Sequence, residues 1–293
     1  MIHLVKRNQL QVDKYNSCIT NSIQSRIFAY SWYLDIVTDN WDVLVLNDYE
    51  AVMPLPWRRK HLITYVYPPF WLLELGIFSQ GKNIDESNFI KEVFIHFNFV
   101  ELRLNTQNSL FRNVRYSIEK EMQLLSLKEN YHTIFSNYSR NRKRELKKAE
   151  EHGLIEKWNE NPEKLITLFE KNVGKRVSNL QKKDYQTLLE LMKISIAKEI
   201  GEMLTVYDLN QSLAGAIFLL KHKSTVTVLV VSTDFQNRDN GVSTFLNDRA
   251  IFKYQKEFSS FHFGGSSMNT IANYYKSFGA KTESYVLLKK RLL

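Results

Sequence analysis

One cysteine, Cys18, stands among 293 residues. A disulfide framework within the chain and a Cys-cluster zinc site are both excluded. The seven histidines are scattered and none has HExxH or other metal-ligand spacing, so no metal is expected. GxxxxGK[ST] and GxGxxG are absent, which removes the P-loop and dinucleotide-binding classes. Ten glycines and five prolines fall below the usual ~7% and ~5%, which excludes a collagen-like or linker-rich chain. No stretch approaches the ~18 uncharged apolar residues of a membrane span. The opening MIHLVKRNQLQVDKY has no apolar run ahead of its charges, which argues against a signal peptide. A cytoplasmic location is the simplest expectation. Gly264-Gly265-Ser266-Ser267-Met268 begins like a nucleophile elbow, but Met268 stands where that turn needs glycine, which argues against a serine hydrolase.

What is present is a globular composition, 44% hydrophobic and 24% charged, with length for about two domains. The formal charge of +9 is uneven. Residues 1–130 carry 14 basic and 14 acidic side chains, and residues 131–293 carry 26 and 17. The densest stretch runs from Ser139 to Lys148. Arg140, Arg142 and Arg144, two apart at a helix start, are spread around the helix end and are candidate contacts to a polyanion. A solvated basic helix is the alternative.

Two blocks emerge, 1–130 and 131–293. In the first, Ile27–Val37 reads as a helix. Asp42–Leu46 and Ala51–Leu55 read as a hairpin that Pro54 and Pro56 end. Leu62–Tyr67 is a strand, Glu86–Phe97 is a helix capped by Asp85, and strands follow near Val100–Leu104 and Val114–Leu125. In the second, a charged helix spans Asn137–Glu151, Leu154–Trp158 is a strand, and Pro162 opens a helix. A helix over Asp184–Lys198 precedes three strands, Met203–Tyr207, Leu213–Leu220 and Thr225–Ser232, whose short connections make them antiparallel. Helix Gly241–Lys256, strand Phe261–Phe263, helix Asn269–Ser277 and strand Ser284–Leu288 complete the order.

The loop Phe235–Ser243 joins the third of those strands to a helix. Unpartnered N–H groups and the helix dipole at such a terminus suit a pyrophosphate. Gly241 lets the backbone approach it, and Arg238 adds a charged contact. An ordinary Asn240-Gly241 turn with a capping Ser243 is the other reading. If the loop is a phosphate cradle, Gly241→Val weakens donor binding and leaves the fold intact.

This order and Arg238-Asp239-Asn240-Gly241-Val242-Ser243 resemble the GNAT N-acyltransferase superfamily, whose loop is Q/R-x-x-G-x-G/A. Ser243 departs from the last position. Tyr275 stands four residues before Gly279, as in that family's Y-x-x-x-G-F, although Ala280 replaces the phenylalanine. Three stretches resemble the FemABX-like branch with two tandem GNAT-like domains. They are Tyr131–Phe135 leading into Ser139–Lys148, Phe263-Gly264-Gly265-Ser266 leading to Phe278-Gly279, and Met53–Trp57 with Gly76-Ile77-Phe78. The resemblance implies an α/β chain of the α+β type, each domain a mixed, mostly antiparallel sheet flanked by helices. The first domain is then a degenerate copy that shapes an acceptor groove. The second binds the donor through Val230, Val231, Ser232, Arg238, Asn240, Gly241, Val242, Ser243 and Asn269. The activity implied is transfer of an acyl or aminoacyl group from acetyl-CoA, another acyl-CoA or aminoacyl-tRNA to the primary amine of a peptide, a peptidoglycan precursor or a small molecule. Tyr275, with Tyr274 as the alternative, is the implied general acid. Glu202 and Asp234 are candidate bases by position. The competing class is a non-catalytic protein that binds RNA through the 139–148 helix.

Overall fold

The computed structural model describes residues 1–81, 84–108, 115–177, 179–265 and 268–291, with the side chains of Asn237 and Arg238 excepted. In chain order it gives β1 (Ile2–Lys6), α1 (Val12–Asn21), α2 (Ser31–Val37), β2 (Asn40–Leu46), β3 (Ala51–Lys60), β4 (Ile63–Val66), β5 (Phe78–Ser79), α3 (Glu86–His96), β6 (Phe99–Arg103) and β7 (Ser117–Ser126). There follow α4 (Tyr131–Ser136), α5 (Arg140–Glu151), β8 (Ile155–Trp158), α6 (Glu163–Lys171), α7 (Lys182–Ala197), β9 (Gly201–Tyr207), β10 (Leu213–His222) and β11 (Thr225–Thr233). The last elements are α8 (Val242–Tyr254), β12 (Ser260–His262), α9 (Asn269–Lys276) and β13 (Lys281–Lys290).

Two compact units form, Met1–Glu121 with Glu283–Leu293, and Met122–Thr282. This division differs from the boundary near residue 130. Pairing across a long chain separation is the reason: β13 lies antiparallel to β6, with Leu287 opposite Arg103 and Lys290 opposite Val100, so the last strand belongs to the first unit.

In the first unit β1, β2, β3 and β4 pair antiparallel in sequence, and β4 pairs parallel to β6. The β2–β3 hairpin does not stop at the prolines. Pro54 lies opposite Val43 and Pro56 opposite Trp41. Both sit between the part of β3 that pairs with β5, residues 51–52, and the part that pairs with β4, residues 57–60. A residue without an N–H is tolerated where no second strand is paired. The Asp85 carboxylate accepts from the Ser87 N–H and caps α3. Cys18 is fully buried, and desolvation pushes its thiol up to about 11, so it packs as a small apolar residue.

In the second unit β8, β9, β10 and β11 are antiparallel neighbours, β12 joins β11 in parallel, and residues 124–126 of β7 pair antiparallel with β12. The face toward α8 is apolar: Leu204, Ile217, Val226 and Phe261 meet Leu246, Ala250 and Ile251. Full burial of each large side chain contributes about 1.5–3 kcal/mol, enough to seat α8 on the sheet. The 3.6-residue period divides α5 cleanly. Arg142 and Ala149 are buried, whereas Arg140, Arg144, Lys147 and Lys148 are exposed.

Candidate active site

β12 pairs along its whole length with the beginning of β11. Thr225, Val226 and Thr227 lie opposite Ser260, Phe261 and His262, where β12 ends, while β11 runs on to Thr233. Two features mark the end of this pairing. The register of β11 on β10 passes from Leu219 opposite Val228 to Phe218 opposite Val230, which leaves Leu229 as a bulge. A bulge twists its strand away from the neighbouring pairing. After β12 the chain turns at Gly264, φ +78°, where an added Cβ would lie 3.0 Å from the Val228 carbonyl oxygen. The Gly264 N–H donates to His262 Nδ1 at 3.0 Å, which fixes the turn. Val230, Val231 and Ser232 therefore lie in the stretch of β11 beyond the β12 pairing. Ser232 is buried and its hydroxyl lies 3.4 Å from the Leu168 carbonyl of α6.

The turn Phe235–Asn240 follows β11 and leads through Gly241 into α8. The Asp234 carboxylate accepts from the Gln236 N–H at 3.1 Å and starts the turn. Asn240 is half-buried at its end, and Val242 and Ser243 open the helix. The Arg238 side chain lies outside the described residues, as does Ser266. Gly241 has φ +77°, and its missing Cβ faces α5. A Cβ there would lie 2.2 Å from the Glu145 carbonyl oxygen of α5. The expectation that Gly241→Val spares the fold is therefore corrected: the glycine is required by the backbone of α5.

α9 begins with exposed Asn269 and carries the two tyrosines. The Tyr274 hydroxyl lies 2.9 Å from Ser243 Oγ and 3.5 Å from Asn247 Nδ2, so it is engaged by α8. Tyr275 stacks on Phe263, centroids 4.6 Å apart at 22°. Its hydroxyl has no hydrogen-bond partner among the described residues. Desolvation raises both phenols above their usual range, so both hold their protons at neutral pH.

Arg142 is not available to a polyanion. It is 5% exposed. Its Nη1 is 2.5 Å from Thr244 Oγ1, its Nη2 is 2.8 Å from Glu145 Oε1, and its guanidinium lies 4.5 Å from the Tyr274 ring centroid. Leu146 and Ala149, four and seven residues on, carried the signal: that spacing puts Arg142 on the apolar face of α5. Glu202 is likewise occupied. Burial works to raise its carboxyl, but hydrogen bonds from Lys221 and Lys253 outweigh this and hold it down. A carboxylate clamped by two lysines is a poor base.

A cavity of about 640 Å³ lies between α6 and the start of β10, lined by Lys164, Leu168, Asn172, Leu213, Asp234 and Gln236. It reaches the end of β11, because Asn172 Oδ1 accepts from the Phe235 N–H at 3.0 Å. Sequence reasoning had no route to this cavity, since its walls come from three separated segments. Among the described residues no group of three His, Cys, Asp or Glu is placed to hold a metal, and no helix is long and apolar enough to cross a membrane.

A mixed sheet in which a strand, a left-handed glycine and a helix follow one another is compatible with a GNAT-like fold. Comparison with solved structures places the whole chain in that class. FemX matches with a TM-score of 0.68 at 10% identity, over 94% of this chain and 96% of that one. A conserved protein of unknown function from Bacteroides thetaiotaomicron VPI-5482 matches with a TM-score of 0.63 at 10% identity, over 99% and 100%. A tandem GNAT protein from the clavulanic acid biosynthesis pathway matches with a TM-score of 0.56 at 9% identity, over 98% and 97%. The chain has the FemABX-like tandem GNAT fold, an α/β architecture with two GNAT-like units. No protein-family model and no curated protein matches the sequence.

Proposed function

We propose that the chain is an N-acyltransferase that moves an acyl or aminoacyl group from acyl-CoA, or from aminoacyl-tRNA, to a primary amine. The observation that carries this reading is that the β12 pairing ends at Thr227 while β11 continues to Thr233. Beyond it, the β11 backbone at Val230–Thr233 has donors free of β12 that can hold a donor amide and polarise its carbonyl. The first turn of α8, with Gly241, Val242 and Ser243, supplies N–H groups to a pyrophosphate. Asn240, just before Gly241, and Asn269, at the start of α9, remain candidate donor contacts. The similar folds named FemX and tandem GNAT support an acyltransferase in general terms.

With a thioester donor, the amine nitrogen attacks the carbonyl carbon and a C–N bond forms. The C–S bond then breaks, and the Tyr275 O–H supplies the proton to the leaving thiolate. We place the amine in the cavity beside α6, where the Asp234 carboxylate can take its proton. The first unit, whose sequence has no phosphate loop of its own, is the degenerate copy. No step requires a metal.

Exposed Arg140, Arg144, Lys147 and Lys148 share one face of α5. This stripe favours a second reading, binding of tRNA or another polyanion, with Arg142 removed from it. Thermal unfolding with acetyl-CoA, coenzyme A and tRNA separates the two. Acetyl-CoA at about 100 times its Kd stabilises by about 2.7 kcal/mol. A shift with acetyl-CoA alone supports an acyl-CoA donor. A shift with tRNA alone that fades steeply with salt supports the polyanion surface. No shift with any of the three rejects both.

A further inference from the structure

Ser243 departs from the small residue of the loop pattern, and its hydroxyl has a specific occupation. It meets the Tyr274 hydroxyl at 2.9 Å, joining the first turn of α8 to α9. Asn247, one turn along α8, donates to the Ser243 carbonyl at 2.9 Å and closes on the same phenol. From the other side the Arg142 guanidinium lies over the Tyr274 ring, and it also lies 5.7 Å from the Phe278 centroid. Arg142 is itself fixed by Glu145 and by Thr244, the residue after Ser243. The Thr244 hydroxyl donates to Glu145 in turn. Tyr274 is thus gripped at its hydroxyl by α8 and at its ring by α5. Its neighbour Tyr275 is held between that ring, 5.5 Å away, and Phe263.

We infer that Ser243 and Tyr274 are a positioning pair, with Arg142 as its buttress: they transmit occupation of the α8 N-terminus to the Tyr275 phenol. This rests on the acyltransferase reading, in which phosphates of the donor sit on that terminus. Tyr274 does not act as the acid, because its hydroxyl is committed to α8. The Tyr275 hydroxyl, which has no hydrogen-bond partner among the described residues, does. An off-pattern serine here is not lost chemistry, because the partner for its hydroxyl lies on the helix that carries the acid.

The test uses the full chain with Ser243→Ala, Tyr274→Phe, the double variant and Ser243→Thr. Acetyl-CoA affinity is measured by calorimetry and turnover by thiol release with a panel of primary amines. The ring resonances of labelled Tyr275 are followed on adding coenzyme A. Each single variant is expected to lose about tenfold in kcat with the acetyl-CoA KM within twofold. The double variant is expected to be no worse than either single, and Ser243→Thr, which keeps the hydroxyl, to restore kcat. Coenzyme A should shift the Tyr275 signal in the wild type and lose that effect in Ser243→Ala at saturation. Unchanged kcat, additive losses, or an identical Tyr275 shift in Ser243→Ala overturns the pair while leaving the acyltransferase reading intact. Failure of the wild type to bind acetyl-CoA or coenzyme A overturns that reading and the pair with it.

Discussion

Gly241 meets two demands in one residue. Its φ of +77° lies where a side chain is strained, and its Cα faces the α5 backbone at Glu145. Loop function alone suggests a glycine that can be replaced without harm to the fold, because sequence places it beside a ligand and says nothing of α5. Gly241→Ala is expected to lower stability by about 2–4 kcal/mol, combining left-handed strain with a backbone clash. The denaturant midpoint reads this, and a loss under about 0.5 kcal/mol would show the helix pair can yield. Tyr275 separates from Gly241 in kind. Tyr275→Phe keeps the stacked ring on Phe263 and removes only the hydroxyl, so donor affinity by calorimetry stays unchanged while turnover falls by ~10²–10⁴-fold. Normal turnover would make Tyr275 a packing residue. The pattern around Tyr275 was visible in the sequence. What separates it from Tyr274 was not, because that distinction lies in a contact between Ser243 and Tyr274, 31 residues apart.

At the scale of elements, local pairing made the sequence legible. The antiparallel run from β9 to β11 joins through short turns, and the cap at Asp85 follows from the side chain next to its helix. The partner of β13 was not legible, since nothing in Lys281–Lys290 points to Val100–Arg103. Arg142 was missed for a related reason. A charged residue on an apolar helix face reads as surface until its partners Glu145, Thr244 and Tyr274 are known. α8 carries a second charge in the interior. Asp248 is 4% exposed. Desolvation raises its carboxyl above the usual range, opposed by a 2.7 Å hydrogen bond from Tyr131. The folded state therefore favours the protonated form. The stabilisation this gives is fully present below the unfolded value near ~3.9 and is lost as pH rises through the folded value. Asp248→Asn should then raise the Tm at pH 7, and the gain should shrink as pH falls toward 4. A gain that is constant with pH would mean the ionised carboxylate carries no penalty here.

For the whole molecule, the mixed, mostly antiparallel architecture followed from sequence order, whereas the return of Glu283–Leu293 to the first unit depended on pairing at a distance. The candidate site was legible as a loop and a tyrosine. The end of the β11–β12 pairing, the cavity and the buttress on α5 were not, because each is built from segments far apart in the chain. Amide hydrogen exchange with and without acetyl-CoA tests the donor site most directly, since it reads the β11 backbone residue by residue. An acyltransferase of this geometry gains protection at Val230–Thr233 and at the first turn of α8, Val242–Thr244, with Thr225–Thr227 unchanged because they are already paired to β12. Protection confined to other segments, or none at saturating acetyl-CoA, would contradict a donor bound along β11 beyond its pairing with β12.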